Sequence, residues 1–120
     1  MPAFYTRRSG FGVDYRVDSS MEVAEALKAK WDLNLKGGMV IGNPIPEEFE
    51  MDYDTINNAI ESALKEAEEK NIAGKNVTPF LLDKVKTITD GKSLESNIEL
   101  VYNNAKVAAN IARDLAELNK

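Results

Sequence analysis

The stretch that decides the fold is SLESNIELVYNNAKVAANIARDLAELNK, residues 93–120. Its apolar residues recur at spacings of three and four, which is the pattern of one buried helix face. They are Leu94, Ile98, Val101, Ala105, Ala108, Ala112 and Leu115, and the arc is widened on one side by Leu100, Val107, Ile111 and Leu118. At about 100° per residue, Asn97 and Asn104 fall inside this arc, while Asn103 points away from it. The stretch therefore predicts a long helix with amide side chains on its buried face.

A buried amide needs hydrogen-bond partners, because leaving it unpaired costs roughly 1–3 kcal/mol. The partner of Asn104 is either another part of the protein or a ligand, and the helix pattern leaves both open. The same heptad-like spacing is compatible with coiled-coil pairing. Few opposed charges flank the seam, however, and this favours packing inside a globular fold.

Three further helices are predicted upstream of this stretch. Ser19 and Glu22 have the spacing of a capping box at the start of the first helix. The second follows a capping aspartate, Asp52 or Asp54, and carries a long apolar stripe. The members of that stripe are Ile56, Ala59, Ile60, Ala63, Leu64 and Ala67. Thr78, followed by a proline, begins the third helix, and Ser93 caps the last.

Short β-prone runs at residues 3–6, 11–17 and 39–41 predict strands. The run at 39–41 is continuously apolar, as expected of a strand that is covered on both faces. Two or three short strands with four helices predict an α/β fold. So few strands are unusual for a free-standing α/β domain, and they favour a piece of a larger sheet. We predict that residues 1–120 form a single domain.

Composition narrows the classes of function. The 120 residues carry a net charge of −5, which disfavours nucleic acid as a partner. Cysteine and histidine are absent, so this chain alone builds no disulfide, no Ser-His-Asp triad and no zinc cluster. No apolar run approaches the roughly 20 residues of a membrane span, and no signal peptide is recognisable. The sequence therefore predicts a cytoplasmic protein.

Asn43 is a second candidate for ligand contact, because it follows the predicted strand at 39–41. Ligands bind at the carboxyl ends of strands in α/β sheets. The alternative is a turn asparagine in front of a proline. The pair Arg7-Arg8 has two similar interpretations, a phosphate contact or a solvated loop.

Four stretches resemble one known family when they are taken together. They are PAFYTRRSG at 2–10, KWDLNLKGGMVIGNPIPEE at 30–48, GKNVTPFLLDKV at 74–85 and GKSLESNIELVYNNAKVAANIA at 91–112. In this order they resemble the C-terminal part of the pseudouridine-5′-phosphate glycosidases, also called the indigoidine synthase A family. The resemblance covers nearly the whole chain, and the combination of GNPIPEE, VTPFLL and SLESNIxLVxNNA makes it specific.

The resemblance implies a fragment of a three-layer α/β/α fold from a protein roughly two and a half times longer, which is usually a trimer. Members of the family cleave the C–C glycosidic bond of pseudouridine 5′-phosphate to uracil and ribose 5-phosphate. They use a nucleophilic lysine, a glutamate and a manganese ion held by an aspartate. Motifs for these three groups have no counterpart in this sequence. We therefore assign no catalytic or metal-binding residue, and we expect this chain alone to be inactive and to bind no metal.

Within Asn103-Asn104-Ala105, the resemblance implies an asparagine that faces the substrate. The helical wheel selects Asn104, and an amide offers both a donor and an acceptor to the edge of uracil. The predicted substrate-binding residues are thus Asn104 and Asn43. The implied partners are the missing N-terminal portion or further copies of the chain, together with a small nucleotide. The alternative function is a stand-alone helical interaction or oligomerisation module without catalysis.

Overall fold

The computed structural model describes all 120 residues, and its regular elements are helices only. Helix accounts for 62% of the chain and strand for 0%, so the predicted α/β class is wrong for this chain. The four α-helices are α1 (Ser20–Asp32), α2 (Tyr53–Glu69), α3 (Val77–Ile88) and α4 (Lys92–Leu118). Short 3₁₀ turns occupy Glu47–Phe49 and Gly74–Asn76.

None of the three β-prone runs forms a strand, and the physical reason is the lack of a pairing partner. A strand exists only when its N–H and C=O groups bond to a neighbouring strand. No backbone hydrogen bond joins any two of the runs at 3–6, 11–17 and 39–41. Tyr15 and Val40 are 83% and 92% exposed, so packing supplies no substitute for the pairing.

Local capping signals place the first two helices correctly. The side chain of Ser19 accepts from the backbone N–H of Glu22, and the carboxylate of Glu22 accepts from the N–H of Ser19 at 2.9 Å. Asp52 caps α2 by accepting from the N–H of Thr55 at 2.9 Å. The helices α3 and α4 each begin two residues earlier than predicted.

The helices pack as two pairs, α1 with α4 and α2 with α3, and the second pair joins the first where α3 meets α4. In the first pair, Ser20 donates a hydrogen bond to Asp114 at 2.5 Å. In the second, Lys84 of α3 forms an ion pair with Glu66 of α2 at 2.8 Å. Each pair is thus tied by a polar contact as well as by packing.

One small core lies between α2 and α3. Its members are Tyr5, Ile56, Ala59, Ala63 and Val85, and Met51, Ile60 and Leu81 pack at its margin. Most of the stripe predicted on α2 is buried here, as expected, and Leu64 is the exception at 43% exposed.

The stripe predicted on α4 behaves differently and is largely exposed. Leu94, Ile98 and Val101 are 40%, 44% and 58% exposed. The buried residues of α4 are instead Ser93, Ser96, Leu100, Ile111 and Asp114. They lie on the flank that contacts α1 and the turn at 47–49, where the hydroxyl of Ser96 donates to the carbonyl of Phe49 at 2.9 Å. The expected burial is therefore found on the widened side of the arc, at Leu100 and Ile111, and is wrong for the central stripe.

The molecule is elongated, with extents of 55 × 31 × 22 Å and a radius of gyration of 17.6 Å. A compact domain of this length would have a radius of gyration of about 14 Å. Only 16 of 120 residues are buried, so much apolar surface lacks a covering layer. No helix combines the length and the apolarity that crossing a bilayer requires.

Candidate functional site

A cavity of about 760 Å³ opens beside α4, and it is lined mainly by apolar side chains. Of its 13 lining residues, seven belong to α4. The N-terminal segment contributes three more, Pro2, Ala3 and Phe4. Leu27 of α1 adds to the lining, as do Ile41 and Asn43 from the loop that precedes the first 3₁₀ turn. No charged side chain lines the cavity, so its chemistry suits a neutral, mostly apolar group.

Two contacts hold the N-terminal segment near this loop. The guanidinium of Arg7 donates to the carbonyl of Ile45 at 2.7 Å, and the backbone N–H of Arg7 donates to the carboxylate of Glu50 at 2.8 Å. Gly42 permits the close approach, because a Cβ there would lie 3.2 Å from the ring of Pro2. Arg7 thus serves to position the cavity wall through a backbone carbonyl.

The two predicted site residues, Asn43 and Asn104, meet in this cavity. The amide nitrogen Nδ2 of Asn43 donates to the carbonyl oxygen Oδ1 of Asn104 at 3.0 Å, although 61 positions separate the two residues. They are the only polar side chains among the lining residues. Neither amide bonds to the main chain, so Nδ2 of Asn104 and Oδ1 of Asn43 are left without a protein partner. That these residues bind a substrate stays a prediction.

The helical wheel misjudged how the asparagines of α4 are buried. Asn104 is exposed at the cavity, whereas Asn103 is half-buried and donates to the carbonyl of Pro44 at 3.3 Å. The reason is that the covered flank of α4 is centred on Leu100 and Ile111 rather than on the apolar stripe. Asn103 therefore anchors the turn that carries Asn43.

Perturbed carboxylates lie outside the cavity. Asp114 is only 7% exposed, and the hydrogen bonds from Ser20 and Arg113 lower the pKa of its carboxyl. The hydrogen bonds from Lys70 and Lys84 likewise lower the pKa of Glu66. These groups tie helices together and do not line the cavity, so they are no candidates for acid–base chemistry there.

A manganese site does not fit the residues that are present. No group of three or more acidic side chains is placed to hold a metal ion, and the chain has no histidine or cysteine. Glu47, Glu50 and Asp52 line a polar depression together with Arg7 and Arg8. The two guanidinium groups offset most of the negative charge that would attract a cation there.

Sequence reasoning missed several residues of the cavity. Pro2 and Phe4 form part of its lining, and nothing local to their sequence signals this role. Leu27 of α1 is half-buried and also lines the cavity. Contacts between distant segments decide these positions, and a periodic pattern does not contain that information.

The sequence is similar to one family of known proteins. Residues 1–114 match the family described as "Indigoidine synthase A like protein". The chain is 72% identical over 120 residues to the pseudouridine-5′-phosphate glycosidase of Clostridium botulinum (strain Langeland), with 100% of this chain and 39% of that protein covered. It is 62% identical over 118 residues to the same enzyme of Alkaliphilus metalliredigens, with 98% and 38% covered. The chain thus spans about two-fifths of the length of these curated relatives.

Two solved structures have the same arrangement of helices within longer chains. The prealnumycin C-glycosynthase AlnA, crystallised with ribulose 5-phosphate, superposes with a TM-score of 0.84 at 26% identity over 98% of this chain and 38% of its own. The indigoidine synthase A-like protein of Thermotoga maritima gives a TM-score of 0.77 at 35% identity, over 92% of this chain and 36% of its own. By the match over residues 1–114, the chain belongs to the indigoidine synthase A-like family.

Proposed function

We propose that this chain forms the C-terminal part of a pseudouridine-5′-phosphate glycosidase. Such an enzyme cleaves the C–C glycosidic bond of pseudouridine 5′-phosphate and gives uracil and ribose 5-phosphate. The observation that carries the proposal is the bonded pair Asn43–Asn104 in an otherwise apolar cavity. High identity to glycosidases from Clostridium botulinum and Alkaliphilus metalliredigens supports it.

The chemistry of the cavity favours the base as the part of the substrate that this chain contacts. A phosphate would need cationic side chains or free backbone N–H groups, and the cavity has no charged lining. Uracil is neutral and planar, and its edge alternates hydrogen-bond acceptors and donors. The free Nδ2 of Asn104 and the free Oδ1 of Asn43 supply one donor and one acceptor to that edge. The apolar walls offer contact surface to the faces of the ring.

In this proposal, the reactive lysine and the manganese ligands lie outside these 120 residues. The chain contributes binding and orientation, which raise the rate by holding the scissile bond in a reactive geometry. We accordingly expect no turnover from this chain alone. Trimeric assembly and a cytoplasmic location stay predictions from the sequence.

The partner that the proposal requires is the rest of the family fold, which makes up about three-fifths of the length of the relatives. The exposed stripe of Leu94, Ile98 and Val101 on α4 is apolar and continuous along the helix. Such a surface is unusual for a protein that functions by itself. We expect this stripe to be buried against the remaining portion, since the chain superposes on part of the longer AlnA chain.

A chimera tests the proposal. This chain replaces the matching 39% of the Clostridium botulinum glycosidase. We expect the chimera to release uracil from pseudouridine 5′-phosphate, and Asn104→Ala to lower kcat/KM by about tenfold to a hundredfold, since a hydrogen bond to the base is lost. Asn57→Ala is the matched control, because that amide bonds to Glu61 on the surface of α2. A folded chimera without activity, or equal effects of the two substitutions, would contradict the proposal.

The exposed stripe also favours a second function, an interaction module without catalysis. Under this alternative the chain associates with itself through α4, and Asn104→Leu strengthens the association by extending the apolar surface. Light scattering at increasing concentration distinguishes the two. If the unchanged chain and Asn104→Leu both remained monomeric as the concentration increased, the module would be excluded.

A further inference from the structure

We infer that Asn43 is a positioning residue, which orients the amide of Asn104 so that the pair presents a donor and an acceptor to a ring carbonyl beside a ring N–H. Such a lactam or imide edge defines the class of ligand. The inference rests on the proposed function and extends it, because it states which edge of the base is recognised and what sets that recognition.

The hydrogen bond between Asn43 and Asn104 leaves one polar group of each amide free. The bond from Asn43 to Asn104, at 3.0 Å, engages one amide nitrogen and one carbonyl oxygen. What remains is the Nδ2 of Asn104 as a donor and the Oδ1 of Asn43 as an acceptor, both without a protein partner. If both amides rotated together, the mutual bond would persist and again leave one donor and one acceptor. The pair therefore offers complementary groups in either arrangement.

The amide of Asn104 needs a hydrogen-bond partner to hold its orientation. The terminal torsion of an asparagine is broad and nearly two-fold, so the oxygen and nitrogen of an exposed amide exchange places easily. Asn104 is exposed on α4 and makes no bond to the main chain. Without Asn43, it would present its oxygen to the cavity as readily as its nitrogen. The bond from Asn43 couples the two amides, so that the pair keeps one free donor and one free acceptor even when both amides rotate together.

Asn43 itself is held in place. The carbonyl of Pro44, its neighbour, accepts a hydrogen bond from Asn103 of α4. The carbonyl of Ile45, a residue with 0% exposure, accepts from the guanidinium of Arg7. Two flanking contacts thus fix the turn against α4 and against the N-terminal segment. Contact residues are held in place when the residues around them are fixed by packing and hydrogen bonds.

The ligand class follows from the lining. The other lining residues are apolar or proline, so a ligand group that the asparagines leave unpaired finds no other side-chain partner there. A ring that offers a carbonyl and an adjacent N–H satisfies both free groups at once. Methylation of that ring nitrogen leaves the Oδ1 of Asn43 unpaired, and the loss of one such bond weakens binding by about tenfold.

The first test uses the 120-residue chain and side-chain amide NMR. In the unchanged chain, we expect the Asn104 amide to be ordered, and Asn43→Ala to lower its order parameter to below about 0.6. Asn43→Asp is expected to restore the order, because its carboxylate accepts from the Nδ2 of Asn104. Asn57→Ala should have no effect. An Asn104 amide that is equally ordered in Asn43→Ala would overturn the inference.

The second test uses the chimera with pseudouridine 5′-phosphate and with the same compound methylated at the imide nitrogen. We expect the chimera and its Asn57→Ala control to prefer the unmethylated compound by about tenfold. Asn43→Ala should lose this preference, because it lacks the acceptor for the ring N–H, whereas Asn43→Asp should keep it, because its carboxylate still accepts from that N–H. A preference that Asn43→Ala retains in full would refute the positioning role. An inactive chimera would count against the glycosidase proposal alone, because the NMR result does not depend on turnover.

Discussion

The helices α2 and α4 have the same kind of sequence and opposite surroundings. Each carries an apolar stripe at spacings of three and four. In α2 the stripe is buried, with Ile56 and Ala63 at 3% and 0% exposure, whereas in α4 Ile98 and Val101 are 44% and 58% exposed. An amphipathic pattern thus indicates that one helix face packs against another apolar surface. It does not indicate whether that surface belongs to the same chain.

The difference has a structural cause. The stripe of α2 meets α3 and Tyr5, which lie within the chain and complete a small core. The helix α4 instead uses a flank with Ser93, Ser96 and Asp114 for its contacts inside the chain. Polar contacts such as Ser20 with Asp114 fix that flank and leave the apolar stripe free. The apolar stripe is accordingly covered on α2, which we call the finished side of the molecule. It is uncovered on α4, which we call the open side.

The largest expected effect comes from placing a charge on the open side. In the 120-residue chain, Val101→Lys should change the free energy of unfolding by less than about 0.5 kcal/mol, because the site is exposed. In the chimera, it should cost on the order of 3 kcal/mol, because the ammonium is then buried without a partner. Urea denaturation of both proteins measures the difference.

The control for this substitution is Ser62→Lys on the exposed face of α2. We expect it to be nearly neutral in both proteins. An equal and small effect of Val101→Lys in the two contexts would show that the stripe of α4 is not covered by the rest of the family fold.

A matched pair of valines sharpens the comparison within the chain itself. Val85 in the core is 2% exposed and Val101 on α4 is 58% exposed. Val85→Ala should lower the free energy of unfolding by about 2 kcal/mol, because it removes buried methyl groups and leaves a cavity. Val101→Ala should lower it by less than about 0.5 kcal/mol. Similar losses at the two positions would contradict the division into a finished and an open side.

A smaller effect concerns pH and the pair α1–α4. Hydrogen bonds from Ser20 and Arg113 lower the folded-state pKa of Asp114 below its ordinary value. Its contribution to stability is therefore complete above the unfolded-state pKa and is lost as the pH falls through the folded-state pKa. We expect Asp114→Asn to be less stable than the unchanged chain near neutral pH and to lose less stability on acidification.

The single tryptophan, Trp31 of α1, reports this transition by fluorescence. Ser20→Ala should have a similar but weaker effect, because Arg113 still donates to the carboxylate of Asp114. If Asp114→Asn showed the same acid sensitivity as the unchanged chain, the carboxylate would not link α1 to α4.

The sequence predicts local features of this fold well and distant contacts poorly. The caps Ser19 and Asp52 are encoded within a few residues, and the structure has both. The strands were predicted wrongly because a β-prone run such as 39–41 becomes a strand only when another segment pairs with it. Periodicity included Leu100 and Ile111 at one side of the apolar arc. It did not predict that the covered flank of α4 extends to Asp114, since the contact of Ser20 with Asp114 joins positions 94 residues apart.

The candidate site divides in the same way. The resemblance and the wheel selected Asn104, and the position after an apolar run selected Asn43. Their mutual hydrogen bond was not predicted, because contacts between distant segments place the loop before the first 3₁₀ turn. Asn103 holds this loop against α4, and Arg7 holds it against the N-terminal segment. The apolar character of the cavity likewise arises from segments that are far apart in sequence.

The most direct measurement is complementation between this chain and the remaining portion of the Clostridium botulinum glycosidase, expressed as a separate polypeptide. Release of uracil from pseudouridine 5′-phosphate is followed for each piece alone and for the mixture. We expect neither piece to turn over the substrate and the mixture to do so, with loss of turnover when this chain carries Val101→Lys. Two results would contradict the assignment of the chain as a base-contacting part of the enzyme. One is turnover by the 120-residue chain alone, and the other is equal turnover by the remaining portion with and without this chain.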